Sequence, residues 1–166
     1  LVKIAKSNGI DIICIPGPCA ALTALVSSGF PSSQFTFEGF LPKKKSERDK
    51  TMSEISQNDK TTILFESPHR LKKSLRELKD FCGGDREIQI SRELTKKFEE
   101  HIGNNINEVL DYFEGKEILG EITIVVKGKN KSTKNINYSN FELKIELNDL
   151  INAGLSLTAA SKYLAK

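Results

Sequence analysis

Thr61-Thr62-Ile63-Leu64-Phe65-Glu66-Ser67-Pro68-His69-Arg70 places a strand end and a helix start within ten residues. Thr61 to Phe65 is β-branched, apolar and aromatic, the composition of a strand. Ser67 is a favourable N-cap, and Pro68 falls at the first helical position, where its missing N–H costs nothing. Leu71, Leu75, Leu78 and Phe81 then recur at helical spacing, with Lys72, Lys73, Arg76, Glu77 and Lys79 on the other faces. A strand running directly into an amphipathic helix is the working unit of an α/β fold. Glu66, His69 and Arg70 crowd the turn between them, where a polar ligand would meet strand end and helix start together. Capping alone also accounts for the hexapeptide Phe65 to Arg70, with its charges incidental.

Working towards the N-terminus, Phe35, Phe37 and Phe40 flank Glu38-Gly39 and read as a strand leading into Leu41-Pro42. The run Lys43 to Lys50 follows, with Ser46 and Asp49 at capping-box spacing, so a helix is predicted from there to about Ser56. Cys19 to Ser28 forms a small-residue helix, broken by Gly29-Phe30-Pro31. Before it, Pro16-Gly17-Pro18 fixes the backbone, and Gly17 admits close approach of another group. That turn reads either as a ligand-facing helix start or as a proline-stiffened crossing between domains. Asp11 to Ile15 has the apolar pattern of a strand buried on both faces, after a helical stretch at Val2, Ile4 and Ala5 that stops at Asn8-Gly9.

Towards the C-terminus, Gly83-Gly84 ends the amphipathic helix and Glu87 to Ser91 reads as a strand. Charges of both signs, Arg92 to Glu100, follow it directly, as they follow Phe65. Two strand ends carrying Glu and Arg point to a shared crevice, since ligands gather at the carboxyl ends of strands in such sheets; surface ion pairing fits the same pattern. Ile106 to Phe113 is a helix by its Val109, Leu110 and Phe113 face, and Gly120-Glu121 leads into Ile122 to Val126, the most β-prone run of the chain. Lys127 to Asn140 reads as a linker, and Phe141–Ala153 with Leu157–Ala165 as two short helices around Gly154-Leu155-Ser156, like the start of a helix-turn-helix pair.

The 166 residues are 38% hydrophobic and 28% charged, a balance that excludes global disorder. Three cysteines, Cys14, Cys19 and Cys82, include no C-x-x-C pair, which fits neither a disulfide framework nor a zinc site. The longest apolar stretch, Cys19 to Val26, is far too short to span a bilayer. G-x-G-x-x-G, Walker and H-E-x-x-H motifs are absent, and His69 and His101 are the only histidines. Net charge is +3, and Lys43 to Lys50 holds five bases against two acids, a surplus of three that equals the whole. Such localised charge is suited to phosphate contact. Pattern and composition thus give an α/β domain with a polar crevice and a basic loop, but no reaction.

Five of these stretches occur together and in order: Ile15-Pro16-Gly17-Pro18-Cys19-Ala20, Phe37-Glu38-Gly39-Phe40-Leu41-Pro42, Phe65 to Arg70, Arg92 to Lys96, and Gly120-Glu121. Together they resemble the ribosomal small-subunit methyltransferase I family, of the tetrapyrrole-methylase fold. The resemblance implies an α/β fold with a mixed sheet flanked by helices, forming the C-terminal domain of a two-domain enzyme, with a short helical appendage. It implies domain boundaries at 1–15 (the end of an N-terminal α/β domain), 16–130 (the C-terminal domain), 131–140 (a linker) and 141–166 (a truncated appendage). On this reading the chain is a fragment, inactive alone, whose N-terminal domain precedes Leu1.

The implied activity is S-adenosylmethionine-dependent 2′-O-methylation of a cytidine in 16S rRNA of the small ribosomal subunit. The cofactor contacts carried over are Gly17, Cys19, Ala20, Phe65, Leu94, Gly120 and Glu121. Glu66, Glu93 and Lys96 are the catalytic candidates, groups able to take or screen the 2′-hydroxyl proton. Lys43, Lys44, Lys45, Arg48, Arg70 and Arg92 are the RNA-contact candidates. Phe98 stands where some relatives carry His, which argues against an essential imidazole there. A homodimer, a cytoplasmic location and no membrane partner are further expectations. The competing readings are a tetrapyrrole or other small-molecule methylase, and a non-catalytic RNA-binding module.

Overall fold

The Thr61–Phe65 run becomes the second strand of a five-stranded mixed sheet, seen in a computed structural model that describes residues 1–130 and 140–164. Two compact units divide the chain, Leu1–Asn130 and Lys131–Lys166. In the first, helices α1 (Val2–Ser7) and α2 (Ala20–Ser28) precede strand β1 (Phe35–Phe40) and helix α3 (Lys45–Gln57). Strand β2 (Thr61–Glu66), helix α4 (Pro68–Cys82), strands β3 (Glu87–Arg92) and β4 (Glu100–Asn105), helix α5 (Ile106–Phe113) and strand β5 (Ile122–Val126) complete it.

The strand order is β1-β2-β5-β3-β4. β1 and β2 are parallel, and β5 runs antiparallel between β2 and β3. β2 and β3 therefore point the same way, and their carboxyl ends meet the start of β5 at one edge of the sheet. The register makes this sharp: Ile122 pairs with Glu66 on one side and with Arg92 on the other.

Alternation along each strand divides the core in two. Leu64, Ile88, Ile90, Ile122, Ile124 and Val126 face a large cluster completed by Met52 and Ile55 of α3, Leu71, Leu75 and Leu78 of α4, and Ile106, Val109 and Phe113 of α5. On the opposite face Ala21, Ala24 and Leu25 of α2 pack on Ile63 and Val125, with Phe30, Phe65 and Leu94 against them. The alanines let the helix lie close to the sheet.

Ser67 is the N-cap of α4 and Pro68 its first residue, as the sequence predicts. The Ser67 hydroxyl makes no cap hydrogen bond, however; the Glu66 carboxylate accepts the Ser67 backbone N–H at 2.8 Å instead. Ser46 is not a cap either, since α3 begins at Lys45 with Lys44 as N-cap. Asp11 to Ile15, predicted as a buried strand, is exposed and outside any sheet among the described residues. A strand buried on both faces needs a covering layer on each, and no described residue supplies one there. β4 has no clear signal in the sequence; it pairs with β3 along its whole length.

The second unit holds α6 (Asn140–Asn152) and α7 (Leu157–Leu164). They are joined by a turn in which Gly154 has φ +98, and Ala160 of α7 is buried. The linker expected at 131–140 lies outside the described residues except for Asn140. No helix among the described residues is long and apolar enough to cross a membrane.

Candidate functional site

At the sheet edge where β2 ends and β5 begins lies a cavity of about 390 Å³. Its wall is made by Phe40, Phe65 to Pro68, and Gly120 to Thr123, with Ala20 from the start of α2. The volume is in the range of small-molecule sites, and the lining is largely apolar and aromatic with a backbone rim. Of the sequence candidates, Ala20, Phe65, Glu66, Gly120 and Glu121 meet here. Phe40, Ser67 and Pro68, from two of the family-like stretches, join them, as do Ile122 and Thr123, which have no site signal of their own in the sequence; the cavity needs the strand pairing to appear.

Glu66 is 3% exposed, and each of its carboxylate oxygens has a hydrogen-bond donor. Beside the Ser67 N–H, it accepts the Ser74 hydroxyl at 2.6 Å, and Arg70 Nε lies at 3.4 Å. Arg70 also donates to the Leu41 carbonyl at 2.9 Å, tying the start of the lysine loop to the first turn of α4. Ser74 in turn accepts from Arg48 at 2.9 Å, and Arg48 pairs with Glu77. Arg48 is therefore buried between α3 and α4, which corrects its reading as an RNA contact: its guanidinium is committed to Glu77 and Ser74. Its spacing to Met52 and Ile55, four and seven residues on, was the available signal, because it places Arg48 on the buried face of α3.

Across the mouth, Glu93 holds a left-handed backbone, φ 52. Its carboxylate accepts the Glu121 N–H and the Lys96 ammonium, each at 2.9 Å. Lys96 also donates to Glu121 Oε2 at 3.0 Å. The Lys96 hydrogen bond, then the Glu121 N–H, lowers the Glu93 pKa below its usual range. The Glu93 and Glu121 hydrogen bonds raise that of Lys96. Gly120 has φ +91, and a Cβ there would come within 2.5 Å of the Glu93 side chain, so glycine is required on both counts.

Arg92 is held by Glu100 at 2.9 Å and by the Leu119 carbonyl at 3.2 Å. Leu94 is half-buried against the α2 side of the sheet. Gly17 and Cys19 lie on the exposed segment before α2, outside the cavity wall, with Cys19 as the N-cap of that helix. Lys43, Lys44 and Lys45 are exposed, with Lys44 paired to Glu47 at 3.1 Å.

The profile of the tetrapyrrole (corrin/porphyrin) methylases matches residues 1–110. Ribosomal RNA small subunit methyltransferase I of Vibrio cholerae is 41% identical over 130 residues, covering 77% of this chain and 45% of that protein. The protein of the same name from Bacillus subtilis is 42% identical over 130 residues, 78% of this chain and 44% of its own length. The one from Synechocystis is 35% identical over 166 residues, all of this chain and 59% of its own length. The chain thus spans about half the length of the curated relatives it matches. Among solved structures, the methyltransferase CobJ superposes with TM-score 0.58 at 16% identity, over 76% of this chain and 56% of that one. The cobalt precorrin-4 methyltransferase CbiF gives 0.56 at 17%, with the same coverage. These two show a shared fold.

Proposed function

Because this chain belongs to the tetrapyrrole (corrin/porphyrin) methylase family, where it is similar to the ribosomal RNA small subunit methyltransferase I proteins, we propose that it forms part of an S-adenosylmethionine-dependent rRNA methyltransferase. The finer reading is transfer of a methyl group to the 2′-oxygen of a cytidine in 16S rRNA. The observation that carries it is the convergence of the Glu66 and Arg92 strand ends on Ile122, beside a cavity walled by Phe65 and Gly120-Glu121. On this proposal residues 1–15 close one domain and 16–130 form the next, and the rest of a longer protein supplies the remaining cleft wall. The exposure of Leu1, Ile4, Ile10, Ile13 and Ile15 supports this, since a run of bare aliphatic side chains calls for a covering surface.

The cavity fits one side of a nucleoside-bearing cofactor: Phe65 offers an aromatic side chain and small Ala20 leaves room. When bound, S-adenosylmethionine supplies an electrophilic methyl group. The chain's own part is placement and charge. Lys96 stays an ammonium at neutral pH, because both its carboxylate partners favour that form. Its role is therefore to screen negative charge growing on the ribose oxygen, and Glu93 with Glu121 aims it. Glu66 acts by position, since two hydrogen bonds and the Arg70 ion pair already hold its carboxylate. The exposed lysines 43–45 hold backbone phosphates.

The test is tritiated methyl transfer by the protein carrying this chain, offered small ribosomal subunits lacking the modification or a tetrapyrrole. Label in 16S rRNA supports the proposal, and label in the tetrapyrrole alone rejects it.

A further inference from the structure

Phe37 and Phe40 are unusual for a folded core: they are 51% and 61% exposed, on the edge strand β1, beside a cavity that buried neighbours line. Their common placement is built by an irregularity. Phe37 pairs with Ile63 and Phe40 with Phe65, because Glu38 is inserted and Gly39 takes φ +64. In an unbulged strand Phe40 would pair with Glu66 and face α3 and α4, where a large cluster buries apolar side chains. The bulge instead turns it to the opposite face, where both rings contact Phe65, at centroid distances of 5.0 Å for Phe37 and 5.8 Å for Phe40. Bulges of this kind re-aim a side chain beside a site.

Three residues after Phe40, within about 11 Å of chain, comes the exposed run Lys43 to Lys45. Its entry is fixed by the Arg70 hydrogen bond to the Leu41 carbonyl. An exposed aromatic face followed at once by cations is how single-stranded nucleic acid is held, with bases on rings and phosphates on lysines. On this basis, and resting on the rRNA reading above, we infer that Phe40, backed by Phe65 and Phe37, is a stacking platform for an unpaired base of the RNA substrate, adjoining the cavity. The charge of the loop selects this occupant over another apolar protein surface.

The experiment measures anisotropy of a labelled single-stranded RNA oligonucleotide titrated with the protein carrying this chain at low salt, and of the same strand carrying abasic riboses. For the intact strand, Phe40→Ala weakens binding about tenfold, the size of one stacked base, while Phe40→Tyr stays within about twofold of wild type. For the abasic strand, wild type and Phe40→Ala bind alike. Circular dichroism checks that the variant is folded. Equal affinities of wild type and Phe40→Ala for the intact strand overturn the inference and leave the rRNA reading standing. A loss that is the same with the abasic strand overturns it too, as does a self-association of wild type that Phe40→Ala abolishes. Failure of the wild type to bind either strand also overturns the inference, while the rRNA reading stands or falls on methyl transfer to small ribosomal subunits.

Discussion

Replacing Glu66 with Gln separates a residue that holds the site from one that takes a proton. The carboxylate is buried and is held by the Ser67 N–H, the Ser74 hydroxyl and Arg70. Removing one partner of a buried ion pair costs about 3–5 kcal/mol. Arg70 is 29% exposed at its side chain, so it regains part of its hydration, and glutamine keeps one acceptor for Ser67. The expected loss is therefore roughly 2–3 kcal/mol. For a unit of this size that lowers Tm by roughly 8–12 °C, read by far-UV circular dichroism. Below the transition, methyl transfer by Glu66→Gln should stay within about tenfold of wild type, since removing a general base costs roughly 10² to 10⁴. A variant of unchanged Tm whose transfer rate falls by roughly 10³, the middle of that range, would refute the reasoning and return Glu66 to the role of base.

Gly120→Ala should destabilise by roughly 1–2 kcal/mol, because its φ is +91 and its Cβ meets Glu93; adding Glu93→Ala should recover the steric part alone, as a double-mutant cycle in urea would show. Lys43→Ala, Lys44→Ala and Lys45→Ala together should flatten the salt dependence of RNA binding by about one unit of slope for each phosphate no longer neutralised. Arg48→Ala should leave that slope unchanged while lowering stability, because Arg48 is buried against Glu77 and Ser74. The folded Glu93 pKa lies below its unfolded one, so its contribution is present above the unfolded value and is lost as pH falls through the folded one. Lys96 is raised, so its contribution is complete below its unfolded pKa and is lost only as pH rises through the folded one. Carbon-13 carboxyl shifts should accordingly titrate Glu93 at lower pH in wild type than in Lys96→Met; equal midpoints would count against the clamp.

Much of this molecule is legible in local pattern. Strong periodicity marks α4, α5 and β5, and the Ser67-Pro68 start of α4 is where cap preference puts it. What pattern lacks is partner information. β4 is an edge strand whose His101, Gly103, Asn104 and Asn105 have little β preference, and its pairing with β3 decides its structure. Asp11–Ile15 fails in the opposite sense, having the composition of a strand and nothing in the described residues to pair with. Arg48 sits in a run of charges that reads as a solvated face, and only the apolar phase of Met52 and Ile55 betrays its inward turn. The cavity depends on β5 lying between β2 and β3, a topology that no local signal specifies.

The most direct test of the cavity as the cofactor's place is calorimetric titration of S-adenosylhomocysteine into the protein carrying this chain and into its Ala20→Trp variant. Ala20 lines the cavity from an exposed helix start, so the indole fills the space without entering the core. The expected result is an unchanged melting curve with affinity reduced by about a hundredfold or more, the equivalent of roughly 2.8 kcal/mol of binding. Equal affinity for wild type and variant would place the cofactor elsewhere and contradict the assignment.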